Sequence, residues 1–274
     1  MPSGDLSHSD GSSGPGSDGA TPADHALAAS VAWETGELLV RIRGQLVAQG
    51  VDTKTLKDEG DRQAHELIVS LLAGRVAAGD GLLSEEGQDG AARLGAERVW
   101  IVDPLDGTRE FGEPPRTDWA VHIALVIDGV PAAGAVALPA LEMVLGTSPG
   151  PVLPPAHDGP PRVIVSRSRP PAAATWLADQ LHGELVELGS AGAKAMAVVR
   201  GEADIYAHSG GQYEWDSCAP VAVAAAAGLH TSRLDGSPLV YNNEDPYLPD
   251  LLICRAELAP AALDALASFD PPES

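Results

Sequence analysis

Cysteine is nearly absent from this chain of 274 residues. The two cysteines, Cys218 and Cys254, lie in apolar segments, and two are too few for a disulfide framework. We expect both to be small buried hydrophobic residues, since free cysteine is among the most buried residue types. A small secreted domain stabilised by disulfides is therefore excluded.

Basic residues are also scarce, with 17 Lys and Arg against 39 Asp and Glu and a net charge of −22. This charge argues against binding to nucleic acids or to anionic membrane surfaces. The chain has no apolar run of about 18 residues that could span a bilayer. It also lacks the positively charged start and apolar stretch of a signal peptide. We therefore expect a cytoplasmic protein without nucleic-acid or membrane partners.

Aromatic residues make up only 4% of the chain, whereas hydrophobic residues make up 44%. That content suffices for a large aliphatic core. Residues 1–23 are mostly Gly, Ser, Asp and Pro, and they are predicted to be a disordered tail because they cannot bury enough apolar surface. A Pro- and Gly-rich stretch, 148–161, is predicted to connect two halves of the molecule, 24–150 and 162–270.

The first half is predicted to hold two helices followed by strands. Apolar residues at helical spacing predict a helix over Asp24–Gln49, with Asp24 as its N-cap. Residues 51–60 are polar and are predicted to form a connection, so that a second helix starts at Asp61. An Asp-Gly turn between two apolar runs predicts a β-hairpin over 119–138.

The second half alternates strands with helices. The predicted strands are 162–166, 184–188, 203–208, 229–232 and 251–255. The predicted helices are 172–181, 193–200, 218–227 and 259–268. Such alternation favours a mixed α/β unit with helices on the faces of its sheet.

An acidic motif follows a buried strand in the first half. Residues 99–102 are apolar, and Asp103-Pro-Leu-Asp106-Gly-Thr108 comes directly after them. Pro104 is predicted to end the strand, because it cannot donate to the ladder. Two neighbouring carboxylates repel each other unless a cation lies between them, and magnesium is a usual choice among hard ions with oxygen ligands. The alternative is a solvated Asp-Gly turn.

Three more acidic residues stand at the edges of predicted elements, namely Asp61, Glu85 and Asp216. Together with the motif they could converge on two or three magnesium ions, which polarise a phosphate, generate a hydroxide and stabilise a leaving oxygen. Thr108 could then hold the attacking water, and Asp61 could accept its proton. In the alternative interpretation, Asp61 is a plain helix N-cap, and Glu85 is a solvated residue beside Glu86.

These motifs resemble those of the inositol monophosphatase superfamily, a group of lithium-sensitive, magnesium-dependent phosphatases. The similar segments are Ser-Glu-Glu at 84–86, Asp-Pro-Leu-Asp-Gly-Thr at 103–108 and Trp-Asp at 215–216. They occur in the family's order, and the resemblance covers roughly residues 25–265. It implies a layered αβαβα sandwich, in which an α+β half with metal-binding loops precedes an α/β half with substrate-binding loops.

The resemblance also implies roles for individual residues. The implied ligands of two magnesium ions are Glu85, Asp103 and the Leu105 carbonyl for the first, and Asp103, Asp106 and Asp216 for the second. Glu85 and Thr108 would orient the nucleophilic water. Asp61 takes the place of an aspartate that pairs with the threonine hydroxyl, although the preceding residues 59–60 depart from the family pattern.

Other segments are similar to the 3'-phosphoadenosine 5'-phosphate phosphatases, a subfamily of 3'(2'),5'-bisphosphate nucleotidases. They are Leu-Ser-Glu-Glu at 83–86, Asp-Gly-Thr-Arg-Glu-Phe at 106–111, Ser-Arg-Ser at 166–168, Gly-Ser-Ala-Gly-Ala-Lys at 189–194 and Leu-Val-Tyr-Asn at 239–242. They imply a hydrolase that removes the 3'-phosphate to leave AMP, in sulfate assimilation. The alternatives are inositol monophosphatase or fructose-1,6-bisphosphatase activity and, from another class, a catalytically silent regulatory protein.

A bisphosphorylated nucleotide needs cationic donors besides the metal ions. Arg167, Arg169 and Lys194 are predicted to lie in loops at strand ends, and the Gly189-Ser190 amides before a helix would suit a phosphate. Solvated loop residues are the alternative. The full predicted substrate-binding set is Gly107, Thr108, Arg109, Ser166, Arg167, Ser168, Gly189, Ser190, Lys194 and Asp216. The sequence leaves the oligomeric state open, with a homodimer as one option.

Overall fold

The computed structural model describes residues 19–87 and 90–269. Residues 1–18, which form most of the predicted tail, lie outside the described residues, as does residue 270 at the end of the predicted second half. The α-helices of the described part are α1 (Pro22–Gln49), α2 (Thr53–Leu72), α3 (Thr108–Phe111), α4 (Ala172–Gln180), α5 (Ala191–Val199), α6 (Glu214–Ala226) and α7 (Ala259–Leu266). None of these helices is long and apolar enough to cross a membrane.

Each half of the chain builds one five-stranded sheet. The strands of the first are β1 (Gly81–Ser84), β2 (Arg98–Asp106), β3 (Ala120–Ile127), β4 (Val130–Leu138) and β5 (Met143–Gly146). They pair in chain order, and only β1 and β2 run parallel. The strands of the second are β6 (Arg162–Ser166), β7 (Glu184–Leu188), β8 (Ile205–Tyr213), β9 (His230–Ser232) and β10 (Tyr247–Cys254). Their order is β7-β6-β8-β10-β9, with β10 antiparallel to both neighbours.

Helices and sheets alternate in layers. α1 and α2 cover one face of the first sheet, where Leu39 and Ile68 pack in one cluster with Trp100. α5 and α6 lie between the two sheets and share a core with Ile101 of the first sheet and Ile253 of the second. α4 and α7 cover the remaining face of the second sheet. The expected αβαβα sandwich is therefore confirmed.

Helix α1 begins earlier than predicted. Its N-cap is Thr21, not Asp24, and the Asp24 carboxylate instead accepts the Thr21 backbone N–H at 2.8 Å. This reciprocal arrangement is a capping box, in which two free donors of the first turn find acceptors. The helix ends at Gly50, whose φ of 71° is the left-handed conformation that glycine adopts without strain.

The prediction of a connection over 51–60 was wrong, and so was the prediction that a helix starts at Asp61. Asp52 is the N-cap of α2, which places Asp61 inside the helix. Small residues on the buried face conceal the helical period in a segment rich in charge. The buried residues of this face are Leu56, Gly60, Ala64, Ile68 and Leu72.

Strand β2 continues through Pro104 to Asp106, so the predicted end at Pro104 was wrong. The register against β3 shifts between Asp103 and Asp106, which marks a β-bulge. A bulge leaves a residue without a ladder partner and therefore accommodates a proline. The bulge also changes the direction in which the side chains of Asp103 and Asp106 point.

The predicted hairpin and the elements of the second half are confirmed with shifted ends. β8 extends to Tyr213, and α6 starts at Glu214, which places Asp216 in the first turn. α5 starts at Ala191, so Lys194 lies inside a helix and not in a loop as predicted.

Candidate active site

Three carboxylates from distant parts of the chain meet at one place. One oxygen each of Asp103, Asp106 and Asp216 lie within 4.8 Å of one another. The β2 bulge carries the first two, and the first turn of α6 carries the third. Both halves of the chain therefore build this acidic cluster, whose members repel one another in the absence of a cation.

Asp103 is the most deeply buried member of the cluster, with 1% of its surface exposed. Its Oδ1 accepts the Leu105 N–H at 3.0 Å, whereas its Oδ2 has no donor among the described residues. Burial, and then the charges of Glu85, Asp106 and Asp216, raise the pKa of Asp103 well above its usual value. A buried carboxylate oxygen without a donor indicates that a ligand belongs beside it.

Asp106, in contrast, is surrounded by donors. Its Oδ1 accepts the Ala191 N–H at 3.1 Å, and its Oδ2 accepts the Gly192 N–H at 2.6 Å. Burial alone would raise the pKa of Asp106, but the charge and hydrogen bond of His122 and the Gly192 amide outweigh burial and hold that pKa below its usual value. The N-terminus of α5 therefore stabilises a charged Asp106.

His122 lies on β3 beneath the cluster and is fully buried. Its Nε2 is 3.2 Å from Asp106 Oδ2, and its Nδ1 is 3.0 Å from the Trp215 carbonyl oxygen. Burial lowers the pKa of His122, but the Asp106 carboxylate outweighs burial and raises it above its usual value. A Cβ added at Gly192 would overlap His122 Nε2, so only glycine fits there. The sequence analysis missed His122, because a single histidine in an apolar strand carries no pattern.

Asp216 and Glu85 are carboxylates with pKa values near neutrality. Asp216 Oδ2 accepts the Tyr213 N–H at 2.7 Å, while burial and then Asp106 and Glu85 raise its pKa to about 7. Glu85 follows β1 and is exposed. Partial desolvation, and then the charge of Glu86, raise the pKa of Glu85 to about 7. Glu85 lies outside the three-oxygen set.

Thr108 and Asp61 meet although they lie on different helices. The Thr108 hydroxyl is 3.2 Å from Asp61 Oδ1 and 3.1 Å from the Leu105 carbonyl oxygen. α2 can approach this closely because of Gly60, where a Cβ would lie 2.7 Å from the Phe111 ring. Burial raises the pKa of Asp61 to about 7. The expected pairing of an aspartate with the threonine hydroxyl is thus present in the structure, from a helix interior.

Arg43 of α1 holds the turn that carries Thr108. Its guanidinium donates to the carbonyl oxygens of Glu110 at 3.0 Å, Phe111 at 2.9 Å and Arg116 at 2.7 Å. The guanidinium carbon also lies 5.5 Å from the centre of the Phe111 ring, within cation–π range. Arg43 lies far from every motif in the sequence, and for that reason the sequence analysis did not identify it.

The cluster has the donor chemistry of a site for hard divalent cations. Its ligand atoms are carboxylate oxygens, the type that magnesium and calcium prefer. Asp103 Oδ2 offers a buried lone pair, and Asp106 is held in its charged form. A divalent cation bound here would also offset the repulsion between the carboxylates, which contributes to the raised pKa values of Asp103 and Asp216.

The arginines beside the turn differ in their partners. Arg167 Nη2 lies 3.2 Å from Glu110 Oε1 and 3.0 Å from Glu113 Oε2, so this predicted substrate cation already has acidic partners. Arg109 is exposed and has no hydrogen bond or ion pair within the described parts of the chain. The two serine hydroxyls of the 166–168 segment lie 3.5 Å apart.

The Gly189–Lys194 segment borders the cluster, but its donors are engaged with the protein itself. The Gly189 N–H donates to Asp118 Oδ2 at 2.6 Å, and the Ala193 N–H donates to Ser190 Oγ at 3.0 Å. Lys194 is 5% exposed, and its Nζ donates to the carbonyl oxygens of Gly189 at 2.7 Å and Ser190 at 2.5 Å. The Gly189 amide and the Lys194 ammonium are therefore engaged within the protein, and the contact of this segment with substrate stays a prediction.

The sequence model of the inositol monophosphatase family matches residues 23–150 and 164–266, which include every member of the cluster. The chain belongs to the inositol monophosphatase family.

Two named relatives and one solved structure show which members of the family this chain is similar to. A 3'-phosphoadenosine 5'-phosphate phosphatase of Mycobacterium tuberculosis is 51% identical over 243 residues, which cover 85% of this chain and 90% of that protein. The 3'(2'),5'-bisphosphate nucleotidase CysQ of Escherichia coli K12 is 34% identical over 179 residues, which cover 61% of this chain and 72% of that protein. The crystal structure of CysQ from Bacteroides thetaiotaomicron superposes with a TM-score of 0.72 at 29% identity and covers 85% of this chain and 97% of that chain.

Proposed function

We propose that this chain is a phosphomonoesterase that hydrolyses the 3'-phosphate of 3'-phosphoadenosine 5'-phosphate to AMP and phosphate. The convergence of Asp103, Asp106 and Asp216 at one place carries the proposal. The chain is about half identical to a relative that is named for this reaction. The Thr108–Asp61 pair beside the cluster adds the proton-accepting group that such a hydrolysis needs.

Magnesium is the ion that we propose for the cluster, with two or three ions per site. Asp103, Asp106 and Asp216 would hold it, together with Glu85 and the Leu105 carbonyl oxygen. When bound, magnesium supplies Lewis acidity to the phosphate and to the departing ribose oxygen, and it lowers the pKa of water. The resemblance that implies magnesium also implies inhibition by lithium.

Thr108, Asp61 and Glu85 orient and deprotonate the attacking water in this proposal. The Thr108 hydroxyl accepts a hydrogen bond from water while it donates to Asp61 Oδ1, 3.2 Å away. An aspartate with a pKa of about 7 is partly ionised at neutral pH and can take up the proton there. The water then attacks the 3'-phosphorus in line with the bond to the ribose 3'-oxygen. That P–O bond breaks, and the departing oxygen takes a proton from solvent to become the 3'-hydroxyl of AMP.

The second phosphate of the substrate needs cations outside the cluster. Arg109 follows Thr108 directly and is exposed, so it can reach a phosphate without breaking an ion pair of the described residues. Arg167 would exchange its glutamate partners for phosphate. The predicted set also includes hydroxyl and backbone groups, which come from Gly107, Ser166, Ser168, Gly189 and Ser190, and the ammonium of Lys194.

The main alternative substrates are two other phosphate esters, inositol monophosphate and fructose 1,6-bisphosphate. The ratio of kcat/KM values on the three compounds distinguishes them, and the nucleotide should be preferred. A catalytically silent protein of the same fold would bind magnesium without releasing phosphate from any of them. We further propose a cytoplasmic role in sulfate assimilation, and a homodimer is an option that the resemblance leaves open.

A further inference from the structure

Asp118 lies just before β3 and belongs to none of the motifs. It is 5% exposed, its Oδ2 accepts the Gly189 N–H at 2.6 Å, and the same oxygen forms an ion pair with Arg116. Burial alone would raise the pKa of Asp118, but Arg116 and the Gly189 amide outweigh burial and hold it below its usual value. The carboxylate is therefore charged, and a charged acceptor makes the stronger kind of hydrogen bond.

Asp118 holds the Gly189–Ser190 segment, and this segment packs against the turn at residues 107–111, which follows Asp106 of the acidic cluster. A Cβ added at Gly189 would overlap the Glu110 side chain and lie 2.7 Å from Asp118 Oδ2. A Cβ added at Gly107 would lie 2.8 Å from Ser190 Cβ. Real side chains do not tolerate such distances, so the two segments are in contact because both carry glycine.

Two carboxylates of the first half thus hold three backbone amides at and just before the start of α5. Asp106 accepts the amides of residues 191 and 192 and belongs to the acidic cluster. Asp118 accepts the amide of Gly189 and lies outside the cluster. Lys194 donates to the carbonyl oxygens of Gly189 and Ser190 in the same segment. Side chains from both halves of the chain therefore fix this segment beside the acidic cluster.

We propose that Asp118 is a positioning residue, which fixes the Gly189–Ser190 segment through the Gly189 amide in the place that receives the second phosphate of the substrate. This inference rests on the proposed function. Asp118 touches no reacting atom, and Asp106 holds the amides of residues 191 and 192 through hydrogen bonds of its own. Loss of the Asp118 carboxylate should therefore weaken recognition of the second phosphate and leave the hydrolytic step intact.

The test compares Asp118→Ala and Asp118→Asn with wild type on two substrates, 3'-phosphoadenosine 5'-phosphate and adenosine 3'-monophosphate, which lacks the 5'-phosphate. In Asp118→Ala we expect KM for the bisphosphate to rise about tenfold or more, with kcat close to wild type. KM for the monophosphate should not change. Asp118→Asn should recover part of the loss, because its amide oxygen can still accept the Gly189 N–H.

The matched control is Asp204→Asn. Asp204 is also buried, accepts a backbone N–H from Arg162 at 2.9 Å and pairs with Arg162 and Arg255, but it touches no part of the cluster or its turn. This control should lower the melting temperature and leave KM for both substrates unchanged. If Asp118→Ala does not fold, Asp118→Asn is the test variant, because it removes the charge, and it should still give a smaller rise in KM that is confined to the bisphosphate.

Equal rises in KM for both substrates would overturn the proposal, because a general loosening of the cleft acts on both. Variants of Asp118 that change only the melting temperature, as the Asp204 control should, would overturn it as well. A failure of the proposed function is seen separately, since wild type would then show no preference for the bisphosphate.

Discussion

Replacement of Asp103 by asparagine should make the metal-free protein more stable and the enzyme nearly inactive. Asp103 has oxygen neighbours on Asp106 and Asp216 within 4.8 Å. Two unit charges at about that distance repel by about 3 kcal/mol at an effective dielectric constant of about 20. This is an upper value, because the raised pKa of Asp103 means that bound protons relieve part of the repulsion.

We therefore expect Asp103→Asn to gain about 1–3 kcal/mol in free energy of unfolding without metal. This corresponds to a melting temperature about 2–8 °C higher than wild type in EDTA near pH 7.5. Asparagine keeps an oxygen that can accept the Leu105 N–H, so the turn should not be disturbed. With magnesium and substrate, turnover should fall about 10²-fold or more, as for lost electrostatic stabilisation of a transition state.

Asp204→Asn is the control for this experiment too, since it removes a buried charge that has arginine partners. It should lower the melting temperature and keep turnover, because breaking a buried ion pair is destabilising. A lower melting temperature for Asp103→Asn in EDTA, or turnover within about tenfold of wild type, would refute the idea that the cluster is built for a cation.

Metal-free wild type should melt at a higher temperature near pH 5.5 than near pH 7.5. Raised carboxyl pKa values, such as that of Asp216 at about 7, let the folded protein bind more protons than the unfolded chain between about pH 4 and about pH 7. The free energy of unfolding therefore falls as the pH rises through this range. Saturating magnesium should remove this difference, and a difference that persists would contradict the reasoning. Asp61→Asn should lower kcat about 10²-fold with little change in KM, and steady-state kinetics that show a change in KM alone would argue against its role. Gly192→Ala should cost about 2 kcal/mol or more, because the methyl group overlaps His122. Gly44→Ala on α1 meets no atom within 4 Å and should be neutral or stabilising when urea titration measures the free energy of unfolding of both variants.

Local sequence motifs predicted the positions of the cluster residues because each motif lies within one element or at its end. Asp103 and Asp106 flank one bulge, and Asp216 opens an apolar helix, so a short stretch of sequence sets the position of each. The alternation of strands and helices likewise predicted the layers of the second half. These features need no knowledge of distant residues.

The remaining features depend on contacts between distant segments. His122 lies beside Asp106 and against Gly192 from the other half of the chain, so its contacts come from segments that are far apart in sequence. Asp61 was placed at a helix start, because the buried stripe of α2 uses glycine and alanine where a hydrophobic pattern needs larger residues. Lys194 was expected in a loop as a cationic donor to the substrate, but it is buried, and its ammonium donates to the carbonyl oxygens of Gly189 and Ser190. A pattern in one segment cannot reveal such partners.

The most direct test of the proposed function is kcat/KM of the purified chain with magnesium on 3'-phosphoadenosine 5'-phosphate, inositol 1-phosphate and fructose 1,6-bisphosphate. We expect the nucleotide to be preferred by about 10²-fold or more, since a site built for two phosphates and a base rejects compounds that leave its polar groups unpaired. A preference for either of the other two compounds, or magnesium-dependent hydrolysis of none of the three, would contradict the assignment.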